Sequence, residues 1–366
     1  MSEKTVFFTG AGGFLGRYIL THYLQRGDCR LYLLENGKFR ERLRAFIEST
    51  VAEPEKRART KIIEGDITAP NLGLDAPTRD ELRERVTHGI HLAALYNLSA
   101  PRDVSMRVNV DGTRNVLDFI GTLKGFKRLG YMSTVAVSGD YSGGVYSEDD
   151  FDKGQSFKNY YEETKFLAEK LVRERRDAIP TVIGRPTIVV GHSKTGAIEK
   201  IDGPYYGLTM IARNLHVFAM DSGTTRCHVA PVDFVADAFY TIFEDPDTAG
   251  RVYCLGDPNP LTYNAFFDLA CERWGKFRPL VKLPPAWMIP IVRLPFFYDI
   301  TGVTPESFAY SVHPIDYSMT NTTAVLAKYG LACPPVPAYI DVLLRYFREH
   351  YRDPKLRRGD WKQSTT

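Results

Sequence analysis

The stretch "KTVFFTGAGGFLGRYIL", Lys4 to Leu20, sets an apolar strand pattern and an apolar helix pattern on either side of three glycines, Gly10, Gly13 and Gly16. Each glycine has a mechanical reading. Gly10 permits a tight turn, Gly13 lets backbone approach a pyrophosphate, and Gly16 lets the helix pack closely on the strand. The helix N-terminus supplies unpaired N–H groups and the positive end of a dipole. Alone the pattern is weak, because glycine-rich turns also arise for steric reasons; the strand before it and the helix after it are what point to a nucleotide. Gly10, Gly12, Gly13, Phe14, Leu15 and Gly16 are therefore expected at a dinucleotide cofactor.

Outward from this loop, short apolar runs recur at 5–10, 30–35, 61–66, 89–94, 128–134 and 181–191, with helix-like patterns near 14–26, 38–52, 78–86, 103–123 and 159–176 between them. Strict alternation over the first 190 residues predicts a doubly wound α/β fold, its parallel sheet covered on both faces by helices. The runs are nearly all apolar, as strands buried on both sides should be. Beyond 191 the rhythm breaks, but 226–245 and 250–257 read as one more helix and strand of the same sheet. The expected organisation is a Rossmann domain of 1–190 plus 226–257 and a smaller substrate-binding domain of 191–225 plus 258–366.

Bulk properties exclude several classes. The chain has 366 residues, 44% hydrophobic and 25% charged, enough for a sizeable core and unlike a disordered protein. A net charge of +3, with basic residues interleaved among acidic ones, gives no nucleic-acid footprint. Five scattered cysteines with no C-x-x-C and no histidines at ligand spacing predict free thiols in a reducing compartment and no metal site. With no signal-peptide pattern and no run of about 18 apolar residues, a soluble cytoplasmic protein without an integral membrane span is expected.

The reacting centre is sought in "NYYEETKFLAEKLV", where Tyr161 and Lys165 are four apart on a helix and share a face with Ala168 and Val172. A tyrosine can donate a proton to a nascent alkoxide, and its ordinary pKa of about 10 is expected to be lowered by the ammonium beside it. Upstream, "YMSTVAVSG" ends the fifth strand with Ser133 and Thr134, placed to donate a hydrogen bond to a substrate carbonyl, or to cap the next turn. Asn109, in "RVNVDGT", is a candidate to fix the helix backbone and a water beside the lysine. At the end of the second strand Glu35 is placed for the ribose hydroxyls of NAD, whereas Lys38, Arg40 and Arg42 follow at hand for a 2′-phosphate. Asp66 has either the adenine amino group or a helix N-cap as its partner. His91 is expected to be buried and hydrogen-bonded in the fourth strand, with His192 and His228 near the cleft.

Together these residues resemble the extended short-chain dehydrogenase/reductase superfamily. "TGAGGFLG", "EGDI", "HLAA", "NVDGT", "MSTVAVSG", "YEETK", "GRPTIVVG" and "VDFVADAF" occur in its order and approximate spacing over residues 4–257. The resemblance implies catalysis by Thr134, with Ser133 in support, Tyr161 and Lys165. It also places Ile67 beside Asp66, Ala93, Pro186 and Thr187 at the cofactor. Within the superfamily the chain is most similar to the fatty acyl-CoA reductase and thioester reductase branch, on "GFLG", "GDITAPNLGL", "ETKFLAEKLV" and "GRPTIVVG". It departs from that branch in "GAGG" for "GATG", in Thr164 and Phe166, and in Glu35 and Asn36 where NADPH-binding members carry Arg. The implied cofactor is NADPH, with NAD left open by Glu35, and the implied substrate a small molecule or acyl thioester.

Two rival readings stand beside that one. A nucleotide-sugar epimerase or dehydratase, or a sterol-like alcohol dehydrogenase, shares the superfamily; Val135 and Ala136 occupy the places where dehydratases carry an Asp-Glu pair. A nucleotide-sensing protein without chemistry is the other, though such relatives usually lose the Tyr or Lys. The segment "LPPAWMIPIVRLPFFYDITG" (283–302) reads as packed core first, acyl-chain channel second and peripheral membrane patch third, its four prolines ruling out a regular span. The basic tail 350–362 reads as a solvated end or an anion site. Oligomeric state is not legible.

Overall fold

Seven parallel strands form the central sheet: β1 Thr5–Thr9, β2 Arg30–Glu35, β3 Thr60–Glu64, β4 His88–His91, β5 Arg128–Met132, β6 Thr181–Pro186 and β7 Val252–Leu255. In this computed structural model, which describes residues 3–294, 297 and 308–356, their order is β7-β6-β5-β4-β1-β2-β3. The chain starts in the middle, walks to one edge through β2 and β3, and returns beside β1 as β4. That reversal opens a crevice at the carboxyl ends of β1 and β4, where doubly wound sheets bind ligands.

Alternation along each strand divides the core between two faces. Val6, Phe8, Leu31 and Leu33 pack against Ile19, Leu20 and Phe239 of the Phe14–Arg26 and Val232–Glu244 helices. Phe7, Tyr32 and Leu34 pack on the other face with Leu82, Val116 and Ala168, from helices Ala76–Arg85, Gly112–Ile120 and Tyr160–Glu174. Each large side chain buried this way contributes about 1.5–3 kcal/mol.

Two predicted elements are broken. The run 181–191 is not one strand: β6 ends at Pro186, which has no N–H to continue a ladder, and Ile188–Val190 leaves the sheet to pair with Val229–Pro231. The run 103–123 is α-helical only at Arg102–Ser105 and Gly112–Ile120, with a π-helical turn, Met106–Asp111, between them. Such turns reposition side chains and are frequent at functional sites.

A third apolar core lies past the carboxyl ends of the strands. It joins Ile198, Leu208, Phe266, Leu343 and Phe347, from the 192–203 segment and helices Pro204–Ala212, Tyr263–Trp274 and Ile340–His350. Helix Thr320–Ala327, expected in this smaller unit, instead packs on the sheet: Leu326 joins the first core. The Thr322 hydroxyl donates 2.7 Å to Glu148, whose Oε1 also accepts the Cys254 N–H of β7 at 2.9 Å. Among the described residues no helix is long and apolar enough to cross a membrane.

Candidate active site

A cavity of about 620 Å³ separates the sheet's carboxyl ends from the third core. Its floor is the glycine turn. Gly10 has φ +78°, and a side chain there would sit 2.5 Å from the Ala93 nitrogen; one at Gly16 would collide with the Gly10 carbonyl. The following helix begins at Gly13 with no side-chain cap, so its first N–H groups face the cavity beside Phe14 and Leu15. A dinucleotide pyrophosphate fits this cradle. Pro186 and Thr187, where the chain leaves the sheet, line it opposite.

The other cofactor candidates lie outside that cavity. Ala93 backs Gly10. The Glu35 carboxylate accepts the Gly12 and Asn36 N–H groups, and burial raises its pKa. Arg40 stands 3.7 Å from Glu64, and Arg42 donates 2.5 Å to Glu199. Asp66 holds its own turn, Oδ1 accepting the Thr68 N–H at 2.7 Å and hydroxyl at 2.8 Å, and Ile67 packs under Gly112. His91 is buried between the hydroxyls of Thr9 (2.7 Å) and Thr113 (3.1 Å).

Helix Tyr160–Glu174 is capped by the Asn159 side chain, which accepts the Glu162 N–H at 3.0 Å, and carries Tyr161 and Lys165 to the cavity. The Thr134 hydroxyl hydrogen-bonds the Tyr161 phenol and also accepts the Ala136 N–H at 3.2 Å, so it both faces the cavity and caps its turn. Burial pushes the phenol up to about 12, the Thr134 bond acting in the opposite direction. This corrects the expected lowering by Lys165. The Lys165 ammonium is aimed at the end of β5, donating to the Met132 carbonyl at 2.8 Å and the Tyr131 hydroxyl at 3.2 Å. Burial brings it down to about 8.

Ser133 and Asn109 also differ from expectation. The Ser133 hydroxyl, expected to support a substrate carbonyl, instead donates 2.5 Å to the buried Glu169. Asn109, at the π-helical turn, spends its amide on the Leu95 N–H (2.7 Å), the Leu95 carbonyl (3.2 Å) and the Thr164 hydroxyl (3.0 Å), which ties the loop after β4 to the Tyr160–Glu174 helix.

Three features of the site escape sequence reading. Tyr96, in the loop after β4, stacks edge-on against Tyr161 with ring centres 5.0 Å apart. Asp202, hydrogen-bonded to Tyr96, reaches the cavity from the third core. Glu169 pairs with the fully buried Arg185 of β6 at 2.6 Å. Only Glu169 left a signal, four residues past Lys165 on the same face.

With glycine turn, hydroxyl pair and lysine in place, the sequence profile of the male sterility protein family matches residues 8–239. The chain belongs to the male sterility protein family. This family is of the extended short-chain dehydrogenase/reductase type, and the chain shares the nucleotide-binding fold of its NAD(P)-dependent oxidoreductases. "Fatty acyl-CoA reductase wat" of Drosophila melanogaster is 27% identical over 275 residues, covering 64% of this chain and 53% of that protein. The carboxylic acid reductase of Mycobacterium marinum is 26% identical over 287 residues, 70% of this chain and 24% of that protein. The chain thus spans about half the length of the first and a quarter of the second. The terminal R domain from the myxalamid PKS-NRPS biosynthetic pathway superposes with a TM-score of 0.80 at 25% identity, covering 96% of this chain and 92% of that one.

Proposed function

We propose that this male sterility family member is an NAD(P)H-dependent reductase of an acyl thioester or related lipid carbonyl. The observation that carries the reading is the hydrogen-bonded Tyr161–Thr134 pair, set with Lys165 in a cavity floored by the Gly10–Gly16 turn. A bound dihydronicotinamide supplies hydride. The substrate carbonyl oxygen gains negative charge as it is reduced, and Tyr161 and Thr134 are the hydroxyls placed to meet it. A phenol near pKa 12 is protonated at neutral pH, so Tyr161 serves as donor. Lys165, charged below about pH 8, adds a fixed positive charge one helical turn away. In a thioester the tetrahedral carbon then expels the thiolate, giving aldehyde and free thiol. Asn109 and Glu169 are positioning residues that brace this helix.

For the cofactor we propose NADH over NADPH. Glu35 holds a carboxylate beside Gly12, where a 2′-phosphate would be repelled, while Arg40 and Arg42 have carboxylate partners of their own. The proposed division is the sheet unit of 1–190 plus 226–257 against a substrate unit of 191–225 plus 258–366, with Thr320–Ala327 moved to the sheet unit.

Nicotinamide oxidation against acyl-CoAs, aldehydes, sterols and nucleotide sugars, with NADH and NADPH in parallel, tests both statements. Thioester or aldehyde turnover driven better by NADH is expected. Brisk turnover of a nucleotide sugar with none of thioester or aldehyde overturns the substrate reading.

A further inference from the structure

Strand Phe218–Met220 pairs in parallel with Val281–Leu283, setting Phe218 opposite Val281, and helix Pro285–Val292 follows directly. This corner presents apolar side chains to solvent. Leu280 is 75% and Trp287 68% exposed, and Val217, Phe218, Val281, Ile291 and Leu294 are exposed beside them in the chain. The helix sequence, PAWMIPIV, has no polar side chain. Trp287 and Ile291 fall at i and i+4 on its outward face, with exposed Leu294 just past its end, while Met288 and Val292 are buried. A helix apolar on its outer face needs something other than water against it.

Charge and continuity choose the occupant. Segments 213–220 and 276–294 hold five basic residues, Arg213, Lys276, Arg278, Lys282 and Arg293, and no acidic one. Lys282 and Arg278 have carboxylate neighbours on the Tyr263–Trp274 helix, Asp268 at 3.0 Å and Glu272 at 2.9 Å, and exposed Asp221, whose N–H donates to the Leu283 carbonyl at 2.8 Å, also faces Lys282, so the corner keeps a basic excess of two. Phe218, Met220 and Met288 line the same cavity as Tyr161, so the cavity reaches the surface among these side chains.

We infer that this corner lies on an anionic lipid bilayer, with Trp287 and Leu280 in the headgroup boundary, the basic residues on the phosphates and the cavity mouth facing the lipid. Aromatic and aliphatic tips ringed by Lys and Arg are the chemistry of interfacial binding. An apolar substrate then enters the cavity without crossing water.

The test is co-sedimentation of the purified chain with large vesicles of phosphatidylcholine containing about 30% phosphatidylglycerol, beside pure phosphatidylcholine vesicles. Expected are partition onto the anionic vesicles, weakening with salt, and a blue shift of tryptophan emission. The pair Trp287→Ser and Leu280→Ser should lower partition about tenfold or more. The pair Arg278→Glu and Arg293→Glu should abolish the preference for anionic lipid. Circular dichroism and thermal melts of these exposed-site variants control for folding. Absence of wild-type partition overturns the inference, as does partition that survives Trp287→Ser with Leu280→Ser. Association into dimers through this face, or retention on an acidic carrier protein, without vesicle binding also overturns it. Because no turnover is read, the reductase reading stands or falls separately.

Discussion

Burial keeps the proton on Tyr161, and its hydroxyl is hydrogen-bonded to Thr134, so in the proposed reduction it acts as a donor. Tyr161→Phe should therefore lower kcat by about 10²–10⁴-fold while leaving cofactor affinity nearly unchanged, as read by steady-state kinetics beside a cofactor titration. Lys165 makes a sharper case. Its folded pKa of about 8 lies below the unfolded value of about 10.4. Below pH 8 both states are charged and the whole burial penalty is present. Between 8 and about 10.4 only the unfolded chain binds the proton, so this group's contribution to stability rises with pH. Lys165→Met should raise Tm most below pH 8, with the gain shrinking toward pH 10, while turnover is lost. In the wild type, turnover should fall as pH rises through about 8. The residue types and spacing were legible in the sequence. The direction of the Lys165 ammonium was not, because it follows from where β5 ends.

The Tyr160–Glu174 helix places Tyr161, Lys165 and Glu169 on one stripe at i, i+4 and i+8, and Glu169 locks that stripe to β6 through Arg185. Burial, the largest single influence, would raise the Glu169 carboxyl, but the charge and hydrogen bonds of Arg185, the Arg173 charge and the Ser133 hydroxyl together outweigh it and bring the group down to about 2. Removing Glu169 leaves a fully buried guanidinium without its carboxylate. Glu169→Ala should cost about 3–5 kcal/mol, measured by denaturant unfolding at neutral pH. Its stabilisation is complete above about pH 4.3 and lost as pH falls through about 2, so the two proteins should converge in acid. Element type and order were legible from the alternation of apolar runs. The break after Pro186 and the π-helical turn at Asn109 were not, since each is set by a tertiary partner: Val229–Pro231 for one, the Leu95 backbone for the other.

At the scale of the molecule, the crevice between β1 and β4 predicts that cofactor stabilises the fold. At about 100 times its Kd, a dinucleotide that binds only the folded chain adds about 2.7 kcal/mol. NADH should raise Tm more than NADPH at equal concentration, and Glu35→Arg should invert the order, both read by thermal shift. The sheet was legible because strand and helix periods alternate cleanly. The placement of Thr320–Ala327 on β7 was not, because its anchor is a carboxylate, Glu148, more than 170 residues away in sequence.

The cavity takes Tyr205 and Met220 from the stretch before Val229–Pro231, and Phe267 and Met288 from the stretch after β7. If the cavity takes substrate as proposed, selectivity is written in two places on the chain that meet only in space. A chimaera that exchanges the C-terminal stretch alone would join half of one relative's pocket to half of another's, so transplanting specificity requires both grafts together.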